Sequence, residues 1–122
     1  KIKSKKYQYI VVQQGPSSQA EGRALLLEAA AVINELCIEN DARLAIFMVW
    51  PAYDNYYNFD GVIKNYTEAA NINKAILCPV GKKWKEYIDT TGDLSYYGPD
   101  LFNPSHKGSE EAAKIIYECI FE

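Results

Sequence analysis

The stretch PDLFNPSH puts a carboxylate, an amide, a hydroxyl and the chain's only imidazole close together, in Asp100, Asn103, Ser105 and His106. Those groups suit acyl transfer. A hydroxyl nucleophile needs an imidazole to take its proton, a carboxylate to orient the imidazole, and N–H donors for the developing oxyanion. Ser17 and Ser18, in an earlier turn, are candidate polar groups on the opposing loop. The same spacing also describes the start of a helix, where a lone histidine is more often a surface or capping residue.

Other chemistries have less support. Neither GxGxxG nor a GKS/T loop follows the first apolar run, and VGKKW is at most a weak anion-binding turn. Cys37, Cys78 and Cys119 are odd in number, far apart and set among apolar residues, without CxxC or Cys/His ligand spacing. They read as buried thiols, and no metal or cofactor is expected. Trp50, Tyr53, Tyr56, Tyr57 and Phe59 form an aromatic loop, either a wall for an apolar or sugar-like ligand or a cover for the sheet edge.

The elements that must hold these groups follow from periodicity. YQYIVVQ reads as a strand over residues 7–13, and its continuous Ile10-Val11-Val12 predicts burial on both faces. Ser17 or Ser18 would cap a long helix with an apolar stripe of Leu26, Ala30, Ile33 and Cys37, ending near Asn40-Asp41. A second buried strand is expected over residues 44–49, closed by Pro51, and a second helix from Asp60 to about Asn71. KAILCPVG gives a third strand and KKWKEYIDT a third helix ended by Thr91-Gly92. A last helix follows Gly108, with Ala112, Ala113, Ile116 and Ile120 facing inward and Glu110 and Glu111 in its first turn.

Strands alternating with helices at this spacing predict right-handed crossovers and a parallel sheet covered on both faces, a three-layer α/β domain. Functional groups in such a sheet gather beyond the carboxyl ends of its strands. That selects the loops over residues 14–18, 50–59 and 79–84, with the Asp100 to His106 segment able to reach the same edge.

With 122 residues, 48% hydrophobic and 24% charged, the chain reads as one globular domain. A net charge of −3 and a pI near 5.2 give no general attraction for nucleic acid. The basic cluster Lys1, Lys3, Lys5 and Lys6 reads as a solvated tail. No apolar stretch reaches the length of a membrane span and no signal peptide stands at the front of the chain as given, so a soluble chain of unspecified compartment is expected.

Five blocks in order, YIVVQQGPSS, IFMVWP, YTEAAN, CPVGKKW and PDLFNPSHKGSEEAA, resemble the carboxyl-terminal two thirds of the SGNH/GDSL hydrolase superfamily of esterases and acylhydrolases. The resemblance implies a flavodoxin-like α/β/α sandwich and a serine hydrolase of acyl or acetyl esters, often on carbohydrate. It places the nucleophile in a Gly-Asp-Ser block after a first strand, a block this sequence does not contain. Residues 1–122 therefore read as one partial domain lacking the nucleophile-bearing strand.

The resemblance also assigns roles. Gly15-Pro16-Ser17-Ser18 falls on the family's Gly-x-Asn-Asp, so Ser17, with Gln14 and Gly15, would line the oxyanion region. Asp100 to Ser105 falls on Asp-x-x-His-Pro-Ser, which puts Asn103 where the catalytic histidine belongs. An amide takes no proton at neutral pH, so His106 would have to substitute as the base that Asp100 orients. An alternative of another class is an inactive domain that binds carbohydrate or protein through Trp50 and the loop after it. Without the missing strand an apolar sheet edge would be open, to be completed by another segment or by a second copy.

Overall fold

Apolar runs flanked by turn residues become three short parallel strands, β1 (Gln8–Val12), β2 (Ala42–Phe47) and β3 (Ile76–Cys78). The computed structural model describes residues 8–15 and 20–121. Strand order is β1-β2-β3, with Ile10 opposite Leu44 and Ile46 opposite Leu77. Four helices connect and cover them: α1 (Ala20–Glu39), α2 (Phe59–Asn73), α3 (Val80–Thr91) and α4 (His106–Phe121). Among the described residues, no helix is long and apolar enough to cross a membrane.

Side chains alternate across a strand, and β2 uses both faces. Leu44 and Ile46 point into one core with Leu26, Ala30 and Cys37 of α1 and Val62, Tyr66 and Ala69 of α2. Phe47, half a pleat away, packs with Trp50, Trp84 and α4 residues Ala112 and Ile115. The sheet is thus the middle layer, with α1 and α2 on one side and α4 on the other. This is the expected α/β/α architecture.

The helix ends have local causes. Asp41 and Lys74 take left-handed backbone (φ 56° and 52°) after α1 and α2, and Gly92 (φ 73°) does so after α3. Gly81, in the first turn of α3, lies against the Val49 carbonyl, so close that a Cβ there would collide with it. α4 begins at His106, earlier than its periodicity predicts, because the Ser105 hydroxyl accepts the Gly108 N–H at 3.0 Å and caps it. Glu110 and Glu111 therefore fall in its second turn. The inner face of α4 is built by Gly108, Ala112 and Ile115, whereas Ala113 is exposed and Ile116 and Ile120 are half-buried.

Two further expectations change. Ile10 and Val11 are 39% and 43% exposed, because among the described residues β1 has a strand neighbour on one side only. A continuous apolar run meant burial only if cover existed on both faces. The aromatic loop is partly ordered: residues Tyr53–Asn58 form short 3-10 turns broken at Asn55 (φ −111°, ψ 25°) that lead directly into α2. The helix caps expected of Ser17 and Ser18 lie outside the described residues.

Candidate active site

The cavity that collects the predicted groups holds about 500 Å³ and lies at the carboxyl ends of β1 and β2, roofed by α4. Gln14, Gly15, Trp50 and Asn103 line it together, with Phe47, Val49 and Ile116 as apolar walls and Ser109 as a further hydroxyl. Four residues from three separate segments thus share one space.

The floor is set by the first loop. Tyr66, buried on α2, accepts the Gln14 backbone N–H at 3.0 Å, and its hydroxyl proton faces the carbonyls of Gln14 and Gly15. Burial pushes the Tyr66 phenol up to about 12, so it remains a neutral donor at physiological pH. The Gln14 side-chain oxygen is buried without a hydrogen-bond partner among the described residues. An orphaned acceptor at a cavity wall is costly until a donor fills it. Ser17 lies outside the described residues.

The opposite wall is a pinned loop. Tyr97 bridges to Pro104, Gly98 N–H donates to the Asn103 carbonyl at 2.7 Å, and Trp50 Nε1 donates to the Phe102 carbonyl at 2.8 Å. Leu101 adopts left-handed backbone (φ 57°), a conformation that costs a branched side chain energy. That kink folds the chain back over Asp100. Asp100 Oδ1 then accepts the N–H groups of Phe102 (3.0 Å) and Asn103 (2.8 Å), while Oδ2 accepts Asn103 Nδ2 at 2.7 Å. Hydrogen bonds, the Phe102 N–H foremost, hold the Asp100 carboxyl below the usual carboxylate range. Asp100 thus orients the Asn103 amide, as it would orient an imidazole at that position.

His106 does not line the cavity. Its side chain is 90% exposed at the first residue of α4, with Nε2 3.5 Å from Glu110. It stands one helical turn before Ser109, which does line the cavity. The aromatic loop divides. Trp50 and Phe59 are buried, Trp50 stacking on Trp84 with ring centres 3.8 Å apart. Tyr53 and Tyr57 stay exposed and border a second depression with Tyr56 and Asp89. The buried rings Trp50 and Phe59 thus cover the sheet end, while Tyr53 and Tyr57 face solvent.

Tyr66, Phe102 and Ser109 are the site residues that sequence reasoning overlooks. Ser109 shares a helix face with Ala113 and Ile116, at spacings of four and three, and that pattern is visible in the sequence. Nothing local marks Tyr66, whose role arises from a contact across 52 positions. Among the described residues, no cluster of His, Cys, Asp or Glu is placed to hold a metal ion.

A parallel sheet between two helical layers, with its cavity between the first strand's loop and an Asp-x-x-Asn loop ahead of the last helix, defines a three-layer α/β/α architecture. A solved structure described as "a putative SGNH hydrolase from Slackia heliotrinireducens" superposes with a TM-score of 0.77 and 19% sequence identity. The match covers 93% of this chain and 65% of that one, so the chain has the fold of about two thirds of that protein's length. No family model matches the sequence, and no curated protein matches it.

Proposed function

We propose that this chain forms the binding and base-bearing side of an ester-hydrolase site for an acyl or acetyl ester, with carbohydrate esters in range. The observation that carries this is the convergence of Gln14, Gly15, Trp50 and Asn103 on one cavity at the carboxyl edge of an SGNH-type sheet. The ester would lie against the Gln14-Gly15 loop, where the unpartnered Gln14 side-chain oxygen can accept a hydrogen bond from a substrate hydroxyl or N–H. A hydroxyl supplied from polypeptide outside the described residues attacks it. His106, the chain's single imidazole, would have to swing in from its exposed position outside the cavity to take that proton; the tetrahedral adduct then collapses, the ester C–O bond breaks, the alcohol leaves with the proton, and water attacks the acyl-enzyme in the same way to release the acid.

The test is acetyl-ester hydrolysis by the full-length protein beside its His106→Ala variant. A loss of about 100-fold or more is expected for a general base. Unchanged turnover in the variant removes His106 from the mechanism.

A second reading, a binding domain without turnover, is favoured by one observation: the group Asp100 orients is an amide. It predicts no hydrolysis by the full-length protein, and glycan binding by calorimetry that weakens in Tyr57→Ala, whose ring is 79% exposed. Measured turnover rules it out.

A further inference from the structure

The second depression has a lining unlike that of the cavity. It holds about 640 Å³ between residues 53–57, ahead of α2, and residues 88–94, at the end of α3, and no residue of β1, α1 or α4 borders it. It therefore lies on the α3 side of the molecule, away from the open edge of β1. Tyr53 and Tyr57 present exposed rings to it. The shelf they form is held in place, because the Tyr53 N–H donates to the Leu101 carbonyl at 2.8 Å and the Tyr53 ring packs on Tyr56 and Tyr97. The loop of Leu101 thus touches both recesses, since Phe102 and Asn103 line the cavity.

A fixed acceptor stands beside these rings. Asp89 Oδ1 accepts the Tyr56 hydroxyl at 2.7 Å, and Oδ2 accepts Lys85 Nζ at 2.5 Å. These bonds, that of Lys85 first, hold the Asp89 carboxyl below the usual carboxylate range. A carboxylate offers about four lone-pair sites, so acceptor capacity remains for the hydroxyl groups of a ligand.

Charge then narrows the class of ligand. A cation meets a place already taken, because Lys85 pairs with Asp89 and stands 5.7 Å from the centre of the Tyr56 ring. An anion meets the carboxylates of Asp54 and Asp89. What fits is a neutral molecule with a C–H-rich face for the tyrosine rings and hydroxyls for the carboxylate. We propose that this depression is a binding site for a neutral pyranoside sugar, its C–H face on Tyr57 and Tyr53 and its hydroxyls donating to Asp89. The site shares Tyr57 with the binding reading above and gives it a place and a charge, but it holds whether or not the cavity turns over an ester.

The probe is the β-linked tetrasaccharide of N-acetylglucosamine, which is neutral and has no ester bond, titrated into the full-length protein by calorimetry. Binding is expected, with Tyr57→Ala weakening it about tenfold or more and Tyr57→Phe, which keeps the ring, leaving it within about twofold. The de-acetylated tetrasaccharide, in mildly acidic buffer where its amines are charged, should bind the wild type roughly tenfold more weakly, and Lys85→Met should erase that difference. Backbone amide shifts should change over residues 53–57 and 88–94. No binding of the acetylated sugar, as would follow if the remaining polypeptide covered the depression, overturns the proposal. So do an affinity unchanged in Tyr57→Ala, equal binding of the charged sugar to the wild type, or shifts confined to Gln14, Trp50 and Asn103, which would assign the sugar to the cavity. The His106→Ala comparison bears on the cavity alone, so failure there and failure here are told apart.

Discussion

Leu101 shows how a single backbone angle builds one wall of the cavity. Its left-handed conformation turns Asp100 toward the N–H groups of Phe102 and Asn103. A β-branched residue tolerates that region worse than leucine, so Leu101→Val should lower unfolding free energy by about 1 kcal/mol, and Leu101→Gly should cost little. Urea denaturation of both variants checks this. Nearby, Asp93 accepts the Tyr87 hydroxyl and two hydrogen bonds from Ser95, and lies 3.4 Å from Lys107. These contacts, the Tyr87 hydrogen bond first, lower its pKa to about 2. The unfolded carboxyl titrates near 3.9, as a rough reference. A depressed folded pKa stabilises above the unfolded value and loses that contribution as pH falls from about 4 toward 2. The stability difference between wild type and Asp93→Asn should therefore shrink across that window, and a pH-invariant difference would refute it.

At the scale of elements, the start of α4 matters most, because it fixes Asn103, His106 and Ser109 at once. Ser105 closes it from both sides, accepting from Gly108 and donating to the Ser95 carbonyl at 2.5 Å. Ser105→Ala should cost about 1 kcal/mol, the usual worth of an N-cap. Gly108 packs under the Tyr96 carbonyl, where an added Cβ would collide with that oxygen and stand 3.0 Å from the Trp84 ring. Gly108→Ala should cost about 1–3 kcal/mol by overpacking, read from the thermal midpoint. The sequence block PDLFNPSHKG displays both a helix cap and a catalytic segment, and the two descriptions turn out to share residues. Ser105 does the capping while Asn103 faces the cavity.

On the scale of the whole molecule, the cavity depends on two long-range ties. Tyr66 anchors the Gln14-Gly15 loop from α2, and Trp50 anchors the Phe102 carbonyl from the end of β2. Tyr66→Phe leaves the Gln14 N–H without its partner and should cost about 1–3 kcal/mol. Trp50→Phe keeps an aromatic ring but loses the Nε1 bond, at a cost of about 1 kcal/mol. Hydrogen exchange should quicken at the Gln14-Gly15 backbone in Tyr66→Phe, and over residues 101–103 in Trp50→Phe. Global quickening without those local maxima would refute the two-anchor description.

The alternation of strands and helices, the parallel sheet and the helix ends at Asp41, Lys74 and Gly92 were legible from the chain alone or nearly so, because periodicity and turn residues act locally. Of the site residues named from the sequence and its resemblance, Gln14, Gly15, Trp50 and Asn103 share one cavity, whereas Asp100 stands behind Asn103, His106 faces solvent and Ser17 lies outside the described residues. What tertiary structure alone decided is which apolar surface finds cover and which polar group finds a partner. Ile10 and Val11 look like core residues by type, yet they are exposed because no described element covers the outer side of β1. Leu25, Val32 and Leu36 look like a second core face of α1, yet no element packs against it among the described residues. His106, the first residue to attract attention by chemistry, starts α4 in solvent, while Asn103 takes the cavity wall because Asp100 and the kink at Leu101 aim it there. Periodicity states what a residue prefers, and only the assembled neighbours determine whether that preference is met.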